Sequence, residues 1–171
     1  MQHLSGLACA AFVAALDGVF EHSPWVAERA WLRRPFADLA ALEQALVESM
    51  LNASPAEQRA LICAHPELAG KAAVAGELTA ESTREQAGAR LDACSPAEFA
   101  RLQELNAAYT ARFGFPFILA VRGLDRAAII ARFAERIGHT PEQEFAEALQ
   151  QIARIARLRL HERFGEDAQA I

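Results

Sequence analysis

Repeated helix-start signals constrain the fold of this chain more than any other feature of its sequence. Three of them place a hydroxyl residue before a proline and a Glu or Gln three positions after the hydroxyl, in Ser54–Glu57, Ser95–Glu98 and Thr140–Gln143. The hydroxyl caps the first turn, the proline occupies a position whose N–H has no helical partner, and the Glu or Gln bonds back to the cap. Ser82–Glu85 offers the same box without the proline. Four such signals in 171 residues predict an all-α protein.

Apolar residues recur at helical spacing between these signals and define the expected helices. The pattern predicts about eight helices, near residues 4–17, 24–32, 38–52, 55–63, 82–93, 96–112, 125–137 and 141–164. Asp38 and Asp125 are predicted N-caps of two of them. Since no repeat or linker divides the chain, we expect one domain over residues 1–171, folded as a compact helical bundle.

Charge, cysteine content and hydropathy exclude several classes of protein. The net charge of −5 argues against nucleic-acid binding, which needs a basic face. Three cysteines without a CxxC pair indicate reduced thiols in a cytosolic protein and neither a disulfide framework nor a zinc site. The apolar run Leu7–Leu16 is only ten residues long, too short for a membrane span, and no basic residue precedes it as in a signal peptide. It predicts a buried first helix, and no later run is long enough to cross a membrane.

The polar stretch from His65 to Gln86 is the first place to expect chemistry. Its 22 residues carry two glycines and little apolar periodicity, and long ordered loops in compact domains are often functional. His65 precedes a proline at a predicted helix end, where the carbonyl groups favour a protonated imidazole. A structural histidine would look the same, and Glu85 could equally be the N3 residue of the Ser82 capping box.

Two further features lie outside this stretch. The segment Phe113–Leu119 is apolar but contains Gly114 and Pro116, so part of its backbone is free of helical hydrogen bonds and available to a polar ligand. A connector packed on the core explains the same residues. In the last predicted helix, Arg159 falls in the middle of an apolar arc made by Phe145, Leu149, Ile152, Ile155 and Ala156. A buried guanidinium needs an anion, either a substrate group or an internal carboxylate.

Together these residues form a pattern that resembles one enzyme family. The motifs are HPEL at 65–68, ESTREQ at 81–86, LNxxY at 105–109, FGFPFI at 113–118 and LRL at 158–160, following a matching N-terminal segment at 12–31. Their order and spacing resemble the decarboxylases of 2-oxo-4-hydroxy-4-carboxy-5-ureidoimidazoline (OHCU), and the resemblance covers about residues 5–164. Ala89-Arg90 departs locally from the Ala-Gly expected there.

The resemblance implies a fold, an activity and a set of site residues. Members of the family are all-helical, cofactor-free carboxy-lyases that convert OHCU to (S)-allantoin and CO2 in the last step of urate degradation. It implies His65 as the catalytic histidine and Glu85 as its acidic partner. The implied substrate-binding residues are Pro66, Ser82, Gln86, Phe117, Ile118, Leu119 and Arg159, with the Ile118 N–H as the expected backbone donor and Arg159 at a polar or anionic edge.

The resemblance also implies the partners of the chain. We expect a small-molecule substrate, neither a metal nor a cofactor, a homodimer, a cytoplasmic location, and binding to neither nucleic acid nor membrane. The absence of a cofactor is chemically reasonable because the substrate has a C=N bond beside the carbon that loses CO2, and this bond takes up the electron pair. The alternative is a non-enzymatic helical module whose FGFPF segment binds a protein partner.

Overall fold

The computed structural model describes residues 1–165, and every regular element in that range is helical. Ten α-helices and one 3-10 turn (Leu91–Ala93) occur in these residues. The helices are α1 (Gln2–Gly6), α2 (Cys9–Ala15), α3 (Pro24–Trp31), α4 (Leu39–Leu51), α5 (Pro55–Ala64), α6 (Lys71–Ala75), α7 (Ala80–Gly88), α8 (Pro96–Phe113), α9 (Arg126–Arg136) and α10 (Pro141–Phe164). The all-α prediction is confirmed.

The three proline-containing start signals begin helices as predicted. At α8 the Glu98 N–H donates to Ser95 Oγ at 3.2 Å, and the Ser95 N–H donates to the Glu98 carboxylate at 2.8 Å. The same reciprocal bonds occur at the starts of α5 and α10. Asp38 and Asp125 cap α4 and α9, each accepting from a backbone N–H at 2.8 Å. These helix starts are local chemistry, which explains why the sequence identifies them.

The predicted first helix over 4–17 is wrong, because the chain forms two short helices there. Leu7 and Ala8 between α1 and α2 are extended, and the Leu7 carbonyl accepts from Trp31 Nε1 and from Arg34 Nη1, each at 3.0 Å. These side-chain donors replace the bonds of a continuous helix. The prediction of a buried helix is also wrong, since Phe12 is the buried residue of α2 and several of its alanines are exposed.

The polar stretch from residue 65 to 86 contains a helix that the sequence did not predict. The helix α6 lies between two glycines, Gly70 before it and Gly76 after it, and the φ of +72° at Gly76 suits glycine. Downstream, the predicted helix over 82–93 is also wrong in its bounds, because α7 covers Ala80–Gly88 and a separate 3-10 turn follows. Arg90 between them has a φ of +56°, a left-handed conformation that explains why a glycine would be favoured at this departure from the family pattern.

The described chain divides into two compact units, each with its own core. The first comprises residues 1–61 and the part of the chain from 153 onward. Its core contains Phe12 stacked on Phe36 with ring centroids 5.8 Å apart, and it includes the fully buried side chains Val26, Leu42, Leu46, Met50, Leu61 and Leu160. The Phe36 N–H donates to Ser5 Oγ at 2.9 Å and so fixes the segment before α4.

The second unit comprises residues 62–152 and is centred on an aromatic cluster. The ring of Tyr109, the only tyrosine in the chain, lies 4.6 Å from Phe113, 5.2 Å from Phe117 and 5.7 Å from Phe133 between centroids. Phe117 also stacks on Phe133 at 3.8 Å. The apolar side chains of the FGFPF segment therefore pack in a core. The prediction of one domain over 1–171 stays a prediction, and residues 166–171 of that range lie outside the described residues.

Candidate active site

His65 lies where α5 gives way to an irregular loop. The helix ends at Ala64, and the His65 N–H donates to the Ile62 carbonyl at 3.1 Å, which closes the last turn. Pro66 disfavours the α conformation at His65, which is consistent with the end of the helix at this point. His65 is 7% exposed, so its imidazole is largely shielded from solvent. The sequence correctly placed it at a helix end.

Gln86 joins the loop after His65 to α7. Its Oε1 accepts from the Ala69 N–H at 2.9 Å, and its Nε2 lies 3.4 Å from the Glu67 carbonyl. Gln86 is 6% exposed, so these bonds form in a buried environment where they hold the two segments firmly together. The structure therefore gives Gln86 a contact that the sequence did not indicate. Its predicted bond to a substrate stays a prediction.

The start of α7 corrects the interpretation of Ser82 and Glu85 as a capping box. Thr79 is the N-cap, and its Oγ1 accepts from the Ser82 N–H at 3.3 Å. Ser82 is therefore the third residue inside the helix and Glu85 lies a further turn along, too far to cap it. Ser82 is 4% exposed and Glu85 is half-buried. Residues three and four apart share a helix face, so Ser82, Glu85 and Gln86 point in similar directions.

The segment Phe117–Leu119 lies in a stretch between α8 and α9 that has no regular secondary structure. All three residues are buried, and the Ile118 carbonyl accepts from Arg136 Nη1 at 2.7 Å. The neighbouring Ala120 N–H donates to Gln151 Oε1 at 3.0 Å. Within residues 1–165 the Ile118 N–H has no hydrogen-bond acceptor. An uncommitted buried N–H is rare, and it is the kind of group that a polar ligand satisfies.

A buried ionic network behind this segment was missed by the sequence analysis. The Glu144 carboxylate is fully buried and accepts from the Tyr109 hydroxyl, from Arg136 Nε at 2.9 Å and from Arg136 Nη2. His139 Nδ1 lies 2.8 Å from its other oxygen. Burial, and then the hydrogen bond to Glu144, raise the pKa of Tyr109 well above its usual value. The sequence carries no clear signal of this network, because Glu144 is one of two acids in the first turn of α10 and its partners Tyr109 and Arg136 lie in other helices.

Arg159 belongs to the first unit and has internal partners there. It is 5% exposed, as its position on the apolar arc predicted. Its Nη1 donates to the Gly18 carbonyl at 2.8 Å, and its Nη2 lies 3.2 Å from Glu21, which is itself 1% exposed. The internal ion pair that the sequence left open is therefore present. The role of Arg159 at a substrate stays a prediction.

The structure thus brings some of the predicted site residues together. The loop after His65 is bonded to α7, the helix of Ser82 and Glu85, and the Phe117–Leu119 segment belongs to the same unit of the chain. Among residues 1–165 no three His, Cys, Asp or Glu side chains are grouped as metal ligands. No helix in that range is long and apolar enough to span a membrane.

The chain is similar to known proteins over nearly its whole length. Residues 5–161 match the family model described as OHCU decarboxylase. The 2-oxo-4-hydroxy-4-carboxy-5-ureidoimidazoline decarboxylase of Haloferax volcanii is 40% identical over 167 residues, which cover 98% of this chain and 97% of that protein. The crystal structure of an (S)-allantoin synthase superposes with a TM-score of 0.72, at 31% sequence identity. The match covers 94% of this chain and 52% of the synthase, so this chain spans about half the length of the synthase. The fold is shared with an OHCU decarboxylase crystallised in the presence of (S)-allantoin, with a TM-score of 0.69 at 21% sequence identity. That match covers 86% of this chain and 96% of the other.

Proposed function

The chain belongs to the OHCU decarboxylase family, and on that premise we propose that it converts OHCU to (S)-allantoin and CO2. The observation that carries the proposal is the near full-length match to a named decarboxylase, together with the buried His65 loop that is bonded to the helix of Glu85. Relatives that match over nearly their whole length are named as enzymes, so the alternative of a non-enzymatic interaction module has no support of its own.

The substrate itself supplies the means to stabilise the electron pair left by CO2. One ring carbon carries both a hydroxyl and a carboxylate, and its neighbour forms a C=N bond. When the bond to the carboxylate breaks, its electron pair forms a C=C bond and the imine nitrogen takes up a proton. The hydroxyl proton is then lost as the carbon becomes a carbonyl, and a proton is added to the neighbouring carbon. One proton is consumed overall, and the protein must orient the substrate and move protons.

His65 and Glu85 are the proposed catalytic pair. A neutral imidazole at His65 would accept the hydroxyl proton as the carbonyl forms, and its burial would keep competing water away. Glu85 would orient the imidazole or a ring nitrogen of the substrate. Its half-buried position on α7, six residues beyond the Thr79 N-cap, supports this assignment.

The remaining groups are proposed to bind the ring and the ureido substituent. Ser82 and Gln86 lie on one face of α7, and Pro66 fixes the turn at His65. The Ile118 N–H would donate to a substrate oxygen, and the carbonyl of the same residue is already held by Arg136 at 2.7 Å. The backbone of Phe117 and Leu119 would form the adjoining wall.

Arg159 is proposed to bind the anionic edge of the substrate. This role is supported by the LRL motif at 158–160 and not by the bonds that the guanidinium makes to Glu21 and Gly18 within its own unit. Replacement by lysine keeps the charge but loses the planar pair of donors. We expect Arg159→Lys to raise KM or lower kcat at least tenfold, and wild-type values of both would contradict the assignment.

We also propose that the enzyme is a cytoplasmic homodimer that requires neither metal nor cofactor. Sedimentation equilibrium of the purified protein tests the dimer, which a mass near the 18.6 kDa of one chain would contradict. Retention of activity after treatment with a strong chelator, followed by desalting, tests the absence of a metal requirement.

A turnover assay tests the proposed activity directly. OHCU is prepared fresh from urate, and circular dichroism follows formation of one allantoin enantiomer against the uncatalysed background. We expect His65→Ala to lose about 10²–10⁴ in kcat, the usual contribution of general acid–base catalysis. The matched control is His161→Ala, which removes a histidine whose side chain is 58% exposed. Undiminished turnover in folded His65→Ala would refute the role of His65, and no acceleration by the wild type would refute the activity.

A further inference from the structure

Two amide side chains of α8 hold the loop that follows His65. Gln103 Nε2 donates to the Ala69 carbonyl at 2.7 Å, and Asn106 Nδ2 donates to the Leu68 carbonyl at 2.9 Å. We propose that Gln103 and Asn106 are positioning residues that keep His65 in its catalytic orientation. This inference rests on the proposed function, because it concerns the reaction in which His65 would act.

The loop contains a strained residue, and its own backbone hydrogen bond, from the Gly70 N–H to the Glu67 carbonyl, is long at 3.3 Å. Ala69 has a φ of +49°, in the left-handed region that non-glycine residues seldom adopt. The chain is also tightly closed, since a Cβ added at Gly70 would lie 2.6 Å from the Cβ of Glu67. Such a conformation persists only where surrounding contacts enforce it. The three amides of Gln86, Gln103 and Asn106 are those contacts.

The bonds of α8 complete a connection between the two proposed catalytic residues. Gln86 ties the same loop to α7, the helix that carries Glu85. Gln103 and Asn106 bind the loop from a second helix, so the carbonyls at 68 and 69 and the N–H at 69 are all occupied by side chains. A loop held from two directions has little freedom to rotate, and catalytic groups need placement to within a fraction of an ångström.

Asn106 is a costly choice for a residue that serves stability alone. It is 3% exposed, and its nitrogen must face the Leu68 carbonyl because only the nitrogen can donate. Its Oδ1 is then buried without a hydrogen-bond partner among the described residues. An unsatisfied buried acceptor is unfavourable, and an apolar residue of similar size would avoid it. What the amide provides, and an apolar side chain could not, is the hydrogen bond to the Leu68 carbonyl of the loop.

The experiment removes each donor while preserving side-chain volume. Asn106→Leu and Gln103→Met lose the bond to the loop, whereas Gln103→Lys keeps a donor for the Ala69 carbonyl at a half-buried position. The matched control is Gln58→Met, because Gln58 Nε2 donates to the Met50 and Leu51 carbonyls at the end of α4. All variants are assayed on OHCU well below their unfolding temperatures.

We expect Asn106→Leu and Gln103→Met to lower kcat at least tenfold while KM changes less than threefold, because bound substrate meets a misplaced imidazole. Gln103→Lys should retain at least a third of the wild-type kcat, and Gln58→Met should match the wild type. Folded Asn106→Leu and Gln103→Met proteins with kcat within twofold of the wild type would overturn the inference. Failure of Gln103→Lys to exceed Gln103→Met would also overturn it.

Hydrogen exchange separates this inference from the proposed activity. The Ala69 amide, which donates to Gln86, should exchange at least tenfold faster in Asn106→Leu and Gln103→Met than in the wild type and in Gln58→Met. Unchanged protection of the Ala69 amide would refute the proposal that Gln103 and Asn106 hold the loop after His65, whatever the activity. Faster exchange together with a wild type that does not accelerate OHCU loss would show that the two residues hold the loop and would refute the proposed function.

Discussion

Replacing Glu144 with glutamine removes the charge from a carboxylate whose side chain is fully buried. The change keeps the size and shape of the side chain, so packing around it is preserved. Arg136 then remains with its positive charge at a side chain that is 5% exposed, and the Tyr109 hydroxyl loses an anionic acceptor. The consequence should be a loss of folding free energy rather than a local surface effect.

The magnitude follows from the burial of both partners. Breaking a buried ion pair by removing one charge costs about 3–5 kcal/mol, because the other charge stays desolvated. The glutamine carbonyl can still accept hydrogen bonds, which places the expected cost near the lower end, about 3 kcal/mol. For a chain of this length each kcal/mol lowers Tm by about 2–4 °C, so Tm should fall by about 6–12 °C.

Urea unfolding followed by circular dichroism at 222 nm measures this loss. The matched control is Glu135→Gln, because Glu135 pairs with Arg132 at 3.4 Å where both side chains are 61% exposed. Such an exposed pair contributes about 0–1 kcal/mol. If Glu144→Gln unfolded at the same urea concentration as Glu135→Gln, the reasoning that Arg136 depends on a buried counter-charge would be refuted.

Three further predictions concern single groups. Tyr109 has a raised pKa and is the only tyrosine, so absorbance at 295 nm should stay flat in the folded protein as the pH passes 10 and rise only on unfolding; its contribution to stability is complete below about pH 10 and falls as the pH rises further. Titration of the native protein at pH 10 would contradict this. Gly70→Ala should destabilise the protein by about 1–3 kcal/mol in urea unfolding, because the new Cβ would lie 2.6 Å from the Cβ of Glu67. Gly88→Ala has open space around it and should be neutral or stabilising. Equal effects of the two substitutions would refute the steric argument. The pKa of Glu98 is lowered to about 2, chiefly by the hydrogen bond from the Ser95 N–H, so the stabilising effect of the carboxylate is complete above about pH 4.5 and lost toward pH 2. The difference in Tm between the wild type and Glu98→Gln should therefore shrink as the pH falls over that range. A constant difference would contradict the assignment.

The candidate site shows which properties local sequence encodes. His65 was placed at a helix end because Pro66 cannot continue a helix, and Arg159 was placed in a buried environment because helical periodicity fixes its direction. Both are consequences of neighbours within a few residues. The Ser82 box was misassigned because Thr79 offers a competing cap one turn earlier, and local rules rank such competitors poorly.

The groups that the sequence analysis missed depend on contacts between distant residues. Glu144 reads as an ordinary first-turn acid of α10, and only the tertiary structure brings it to Arg136 and Tyr109. Asn106 and Gln103 likewise look like polar positions on an amphipathic helix until the loop after His65 packs against them.

The sequence by itself determined the helical class, the main helix starts and the motifs that identify the family, since capping, proline geometry and apolar periodicity act over three or four residues. Tertiary structure decided which polar side chains are partnered. It gave Arg159 its partner Glu21, assigned Gln86 to the loop at Ala69, and left the Ile118 N–H without an acceptor in the described chain. The physical reason is that burial and hydrogen bonding of a side chain depend on what folds against it, and residues far apart in sequence supply those neighbours.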